Sequence, residues 1–360
     1  MSALEGDDIR VDVGAIEKSL NDLWRTESGK DDDHGVTRAA LWNVVAHTTT
    51  PELHTKASET LGKAAADVPQ RTIVIRSDAA AVAELTSWIS ANCHLMDGGK
   101  QVCSEEIAIV AGGDRMHRVP PLVNALLIPD MPVAMWWLGD LPHEHESYVD
   151  ALLEPADRLI VDSVHFDDPA DLALLTRVAE KSTTAPADLN WGRLDEWRTA
   201  TASVFDPPSM RNRLRAIRRV RVIAGTGEHA FFGHSVESLF YASWLSAQVG
   251  HHVDREGRVE GSAGTIDYDF ERMQSSDVGG LALVEINFDD GSCASITRDR
   301  ERGVLKANVD GVESTPSSVT RTLGRELHSL IVRQLKRPEG DPVFLKVLPL
   351  ATRLAKRIGR

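Results

Sequence analysis

The six residues Val133-Ala134-Met135-Trp136-Trp137-Leu138 (VAMWWL) decide the fold. They form an unbroken apolar run closed by Gly139-Asp140. The run is too short for a buried helix. A run of this length between turn residues reads as a strand covered on both faces, as in a parallel sheet. Working outward, strand and helix patterns alternate. Residues 121–128 read as helix before it, and residues 148–153 as helix after it. Residues 158–161 are a strand ending in Asp162-Ser163, and residues 171–181 a helix. Upstream, Arg71-Thr72-Ile73-Val74-Ile75-Arg76 is short and β-branched, a strand. Residues 84–95 and 101–110 make a hairpin about Asp97-Gly98-Gly99-Lys100.

The expected first domain, residues 71–208, is therefore α/β, a mainly parallel sheet with helices on both faces. It is preceded by a helical N-terminal extension, residues 1–70. There Ile16, Leu20, Leu23 and Trp24 share a helical face. Leu41, Trp42, Val44 and Val45 suggest a second helix, and residues 52–66 a third. Residues 189–204 read as one amphipathic helix, closed by Asp206-Pro207-Pro208, where the domain boundary is placed. Residues 209–360 form an α+β domain. It carries a strand (218–224), a long helix (235–249), and strands at 265–270, 282–288, 292–298 and 304–309. The last three make an antiparallel meander through turns at Asp290-Gly291 and Arg302-Gly303. Two helices, 319–335 and 342–356, end the chain.

The 360 residues are 42% hydrophobic and 26% charged, enough to bury two cores. The net charge of -14 repels phosphate backbones and anionic lipid, so neither nucleic acid nor membrane is an expected partner. No apolar run is long enough to span a bilayer. The acidic N-terminus has no signal-like core. Three cysteines without CxxC spacing fit a reducing cytoplasm.

Catalytic and cofactor motifs are missing from the sequence. His143-Glu144-His145-Glu146 lacks the i, i+4 spacing of a helical zinc site and reads as a polar loop. Gly112-Gly113, Gly225-Thr226-Gly227 and Gly261-Ser262-Ala263-Gly264 lack both phosphate-cradle spacings, and no cofactor is expected. There is no GxSxG elbow. Asp78, Asp140 and Asp162 each lie just past a strand end, where open α/β sheets bind ligands, and form a candidate crevice; such carboxylates also serve as helix caps and turn formers. Cys93 and Cys103 flank the hairpin turn. In one register they sit opposite each other within disulfide reach, a candidate redox pair; a one-residue slip separates them.

Tryptophan is unusually frequent, with 8 against 3 tyrosines. Trp136 and Trp137 face opposite sides of their strand. Trp191 and Trp197 are interleaved with Arg193 and Arg198, the composition of an interface hot spot. The strand end with Trp136, Trp137, Gly139 and Asp140, together with this helix, is the candidate partner interface or its scaffold. Core packing is the alternative reading.

Three segments carry a resemblance. The run from Leu127-Ile128-Pro129-Asp130-Met131-Pro132 through Trp136-Trp137-Leu138-Gly139-Asp140 resembles the signature of the glucose-6-phosphate dehydrogenase assembly protein family, OpcA. Ala156-Asp157-Arg158-Leu159-Ile160-Val161-Asp162-Ser163 fits it too. So does Asp188-Leu189-Asn190-Trp191-Gly192-Arg193-Leu194 with Trp197-Arg198 and Phe205-Asp206-Pro207. The resemblance covers residues 71–208 well and the remainder loosely. It implies a non-catalytic cytoplasmic protein that binds glucose-6-phosphate dehydrogenase and favours its active oligomeric state, as an allosteric activator at the entry of the oxidative pentose phosphate pathway. The alternative is a sugar-phosphate-binding protein or enzyme that uses the strand-end crevice.

Overall fold

A computed structural model describes residues 9–28, 36–95, 101–139, 146–166, 169–181, 183–226, 235–262, 264–274, 280–310, 318–321, 325–337 and 339–358. The Asp97–Lys100 turn, Asp140, His143 and His145 lie outside them. The chain divides into two compact units, each discontinuous in sequence. The first holds residues 1–161, 183–186 and 326–340; the second holds 162–182, 187–325 and 341–360.

The first unit is built on a mixed sheet. Its central strands run in the spatial order Gln101–Gly112, Gln70–Asp78, Trp42–Thr48, Val133–Trp137, Arg158–Val161. Neighbours along this path are parallel. Ala185–Asp188 lies beyond Arg158–Val161. Leu85–Leu95 adds as an antiparallel hairpin, and Ile9–Val11 pairs with that strand. Every residue of Trp42–Thr48 and Val133–Trp137 is buried, as a strand covered on both faces must be.

Trp42–Thr48 corrects the expected helix over 41–45. Leu41, Trp42, Val44 and Val45 mimic a helical stripe, but Val44 and Val45 are β-branched neighbours in a run of seven buried residues. Residues 1–70 are thus no purely helical extension, since they supply the middle strand of the sheet. Asn43 in that strand pins the loop before Val133. Its amide nitrogen donates to the carbonyls of Ile128 and Met131, and its oxygen accepts from Ile128 N–H. The helix Ile16–Ser28 is tied to the sheet by buried Arg71, which pairs with Glu105 at 2.5 Å and Glu17 at 2.6 Å. Trp24 Nε1 donates to the same Glu105.

The second unit holds an eight-stranded, mostly antiparallel sheet. Its order is His252–Val253, Val259–Gly261, Gly264–Gln274, Ile217–Thr226, Gly280–Phe288, Cys293–Asp299, Val304–Asp310, Ser318–Arg321. The expected meander is present, extended by Ser318–Arg321. Ile217–Thr226 runs parallel to Gly264–Gln274. The helix Val236–Val249 is buried from Val236 through Ser246, and so lacks the polar face of a surface helix. It packs against the sheet and against Pro342–Ile358. Gly250, at φ 81°, ends it in the left-handed conformation that side chains resist.

Two further expectations change. The single helix over 189–204 is two, Leu189–Gly192 and Asp195–Phe205, and Ala185–Asp188 before them is a strand. The helix over 319–335 is a strand, Ser318–Arg321, then a helix, Leu327–Leu335. Val319 is β-branched and pairs with Lys306, which favours the ladder. Residues 326–340 belong to the first unit, and residues 209–325 and 341–360 to the second. The boundary expected at residue 208 falls inside the second unit.

Candidate functional site

Numbered along the chain, the six strands from Gln101–Gly112 to Ala185–Asp188 stand in the order 3-2-1-4-5-6. This is the order of doubly wound dinucleotide-binding sheets. Their ligands sit beyond the carboxyl ends of the strands, where the winding reverses. Here the reversal falls between Trp42–Thr48 and Val133–Trp137. The fold therefore implies a dinucleotide, and the residues at this point test the fit.

They do not fit. A dinucleotide needs glycines that let the backbone approach the pyrophosphate, and free N–H groups at the next helix N-terminus. The turn here is Thr49-Thr50-Pro51. Thr50 caps the helix Pro51–Ala65 with its own hydroxyl, accepting from Leu53 N–H at 3.3 Å. Pro51 at the first turn has no N–H to offer. The space between the two strand ends is filled by side chains. The rings of His47 and Trp137 stack at 3.9 Å, and Tyr148 meets His47 edge-on. Gly139, at φ 87°, lies beside Leu53, and a β-carbon there would stand at contact distance, 3.4 Å from Leu53 Cδ1.

His47 is the chemical centre of this plug. Its Nε2 shares a 2.6 Å hydrogen bond with the Ser77 hydroxyl. Burial drives its pKa down to about 3, because the interior disfavours the imidazolium. His47 is therefore neutral, and acts as a packed ring rather than a proton carrier near neutral pH. The sequence reading missed it, because it was hidden behind the helix expected at 41–45. The signal was present as a β-branched run ending in His47-Thr48.

In the second unit, Asp162 and Asp188 make a buried polar cluster. Asp162 binds Arg193 bidentately, at 2.6 and 2.7 Å. Burial alone would raise the Asp162 pKa, but the guanidinium outweighs it and holds the carboxyl below its ordinary value. Asp188 caps Leu189–Gly192. One oxygen accepts from Asn190 N–H at 2.8 Å and Ser163 N–H at 3.2 Å, while Oδ2 has no hydrogen-bond partner. Burial, with Asp162 adding to it, pushes its pKa up to about 7. Asp188 entered the sequence reading only as part of a motif.

The candidate crevice fares differently at each carboxylate. Asp78 is exposed and closes its own turn, accepting from Ala80 N–H. Asp162 is committed to Arg193. Asp140 is not described. The candidate interface rings are all core: Trp136 is 1%, Trp137 2%, Trp191 2% and Trp197 0% exposed. Dividing the expected helix lets both Trp191 and Trp197 turn inward. Trp191 Nε1 donates to Asp341, Arg198 covers the Trp191 ring at 3.7 Å, and Arg198 pairs with Asp195. These residues supply scaffold, and their rings present no free surface.

In the hairpin, Cys93 stands opposite Cys103, the register that brings the pair within reach. Cys103 is buried and disulfide-bonded, and Cys293 is free. Among the described residues no acidic, histidine or cysteine cluster suits a metal, and no helix is long and apolar enough to cross a membrane.

Comparisons with known proteins agree on one family. Residues 62–178 match the model of the glucose-6-phosphate dehydrogenase subunit N-terminal domain, and residues 184–348 that of its C-terminal domain. The OpcA protein of Synechocystis sp. (strain ATCC 27184 / PCC 6803 / Kazusa) is 30% identical over 188 residues, 51% of this chain and 38% of that protein. That of Synechococcus elongatus (strain ATCC 33912 / PCC 7942 / FACHB-805) is 27% identical over 168 residues, 46% of this chain and 36% of that protein. The chain thus aligns with under two fifths of either relative. Among solved structures it is similar to an oxidoreductase from Sinorhizobium meliloti, at 12% identity and TM-score 0.49, covering 89% of this chain and 96% of that one. At those values the likeness carries no conclusion. On the two matching domains, the chain belongs to the glucose-6-phosphate dehydrogenase assembly protein family, OpcA.

Proposed function

We propose that the chain is a non-catalytic cytoplasmic partner of glucose-6-phosphate dehydrogenase. It favours the dehydrogenase's active oligomeric state at the entry of the oxidative pentose phosphate pathway. The observation that carries this reading is the plugged switch point. A sheet wound like a dinucleotide enzyme has its seat filled by His47, Trp137 and Leu53, with a threonine-capped, proline-bearing helix start in place of a glycine turn. That filling speaks against a nicotinamide cofactor seated here and supports action through a partner. The family descriptions, which speak of a glucose-6-phosphate dehydrogenase subunit, support that enzyme as the partner.

A partner activates only by binding the active conformation better than the inactive one. A coupling of about 1–3 kcal/mol changes substrate affinity about 5- to 150-fold. Mixing the purified chain with its cognate dehydrogenase is expected to give co-elution and a lower half-saturating glucose 6-phosphate concentration. Unchanged kinetics in a formed complex would reduce the role to a scaffold. The chain alone is expected to show no dehydrogenase activity and no rise in Tm with millimolar NADP or glucose 6-phosphate. A clear rise with NADP would overturn the plugged-seat reading.

A further inference from the structure

The first unit carries a cavity of about 790 Å³, and its lining includes none of the residues that fill the switch point. That volume lies in the range of small-molecule sites. Three stretches of chain line it. They are the start of the first helix, the entry to the strand Leu85–Leu95, and the helix Val119–Leu126 with the turn Gly113–Arg118 before it.

The pair Gly112-Gly113, which has no phosphate-cradle spacing, builds this cavity. Gly112 N–H donates to the Glu84 carbonyl at 3.0 Å. A β-carbon on Gly112 would stand 2.2 Å from the Val82 carbonyl oxygen, and Gly113 holds φ at 49°. Glycine is what lets the loop ending in Glu84 lie so close to the turn that carries Arg115 and Arg118. That turn is a 3-10 helix, in which residues three apart eclipse, so Arg115 and Arg118 leave it on one side.

Five charged residues line the cavity. Glu17 is closed by Arg71 at 2.6 Å. Asp12 and Glu84 remain, against Arg115 and Arg118. Asp12 accepts from Gly14 N–H, and none of these four side chains joins another by a hydrogen bond or ion pair. Charges of both signs therefore stand apart around one space. A phosphate dianion there meets two carboxylates, and a metal cation meets two guanidiniums; like charges so placed cost several kcal/mol. A ligand with one charge of each sign avoids both. The rest of the lining is largely apolar, with Ile16 and Leu126 buried and Leu85 and Leu122 partly exposed.

We propose that this cavity binds a zwitterion of amino-acid chemistry, with an ammonium group, a carboxylate and an apolar side chain. Arg115 and Arg118 take the carboxylate, since a guanidinium fork matches it through paired N–H donors. Asp12 and Glu84 take the ammonium, and Ile16, Leu85 and Leu122 the side chain. A free amino acid and a di- or tripeptide share this chemistry. The inference concerns the chain alone and does not rest on the dehydrogenase-partner reading.

Calorimetric titration of the full chain tests it, with leucine, phenylalanine and leucyl-leucine as probes. Saturable binding below about 1 mM is expected for at least one of them, and the tighter of leucine and leucyl-leucine tells amino acid from peptide. N-acetyl-leucine lacks the ammonium and leucinamide the carboxylate, so each is expected to bind about tenfold more weakly than leucine. Arg115→Gln with Arg118→Gln changes exposed side chains that pair with nothing in the chain, and circular dichroism verifies the fold. The double variant is expected to bind leucine about tenfold more weakly and to lose the preference for leucine over leucinamide. Glu84→Gln is expected to narrow the preference over N-acetyl-leucine. No saturable binding of any probe up to about 10 mM overturns the proposal. So do equal affinities for the blocked probes, or a folded double variant that binds like the parent.

Discussion

Lowering the pH from 6.5 to 4.5 is expected to cost the first unit about 2 kcal/mol through His47 alone. The unfolded chain charges this imidazole below its ordinary 6.5, whereas the folded chain keeps it neutral down to about 3. Between those values the unfolded state holds the extra proton, so stability falls as pH falls, by about 1.4 kcal/mol per unit. The contribution is fully present above 6.5. Other groups titrate in this range too, so the comparison that isolates His47 is with a variant. His47→Phe keeps a ring against Trp137 and removes the ionisation. It also strands the Ser77 hydroxyl, at a cost of about 1–3 kcal/mol. Amide exchange in Trp42–Thr48 and Gln70–Asp78 is expected to show the variant less protected at pH 7 and less acid-sensitive. Equal acid slopes in parent and variant would remove His47 as the cause.

Asp188 has the opposite sign. Its folded pKa of about 7 lies above the ordinary 3.8, so between them the folded state holds the proton that the unfolded state has lost. Its contribution is fully present below 3.8 and is lost as pH rises through 7. The loss is about 4 kcal/mol over the whole interval, an upper figure for a fully buried group. Asp188→Asn keeps an oxygen to accept from the Asn190 and Ser163 amides but cannot ionise. It is expected to match the parent near pH 4 and exceed it by a few kcal/mol at pH 8. Urea unfolding at the two pH values, followed by exchange in Asp195–Phe205, reads the difference. A variant weaker than the parent at pH 8 would show that the carboxylate is needed ionised. From about pH 4 to 6.5 the unfolded chain carries on His47 the proton that the folded chain carries on Asp188. Across that window the two slopes cancel for the whole chain, while each unit feels its own.

Much of the architecture was readable because period and turn chemistry act locally. The run VAMWWL, the hairpin about Asp97–Lys100 and the meander after Ser292 all follow from alternation and turn residues. The failures share a cause. Leu41, Trp42, Val44 and Val45 satisfy a helical stripe and a doubly buried strand equally well, and only the neighbouring strands decide between them. Trp191 and Trp197 were assigned to one helix, although Gly192, the last residue of the first of the two helices, stands just before the break at Arg193-Leu194. The plugged seat was legible only as a missing glycine motif. That Trp137 and Leu53 meet there depends on residues 84 positions apart. The pKa of Asp188 depends on its enclosure, which no local pattern encodes.

The segment from 326 to 340 has a consequence for how the protein is made. Leu327–Leu335 packs on Pro51–Ala65, and buried Arg158 donates to the Gln334 carbonyl. A chain emerging from the ribosome N-terminus first offers every strand of the central parallel sheet long before that helix arrives. At about 5–20 residues per second, the wait from residue 161 to residue 340 is on the order of 10–40 s. During it the Pro51–Ala65 helix face lacks its cover and Arg158 its carbonyl. The first unit is thus sealed last, by a piece of chain made after nearly all of the second.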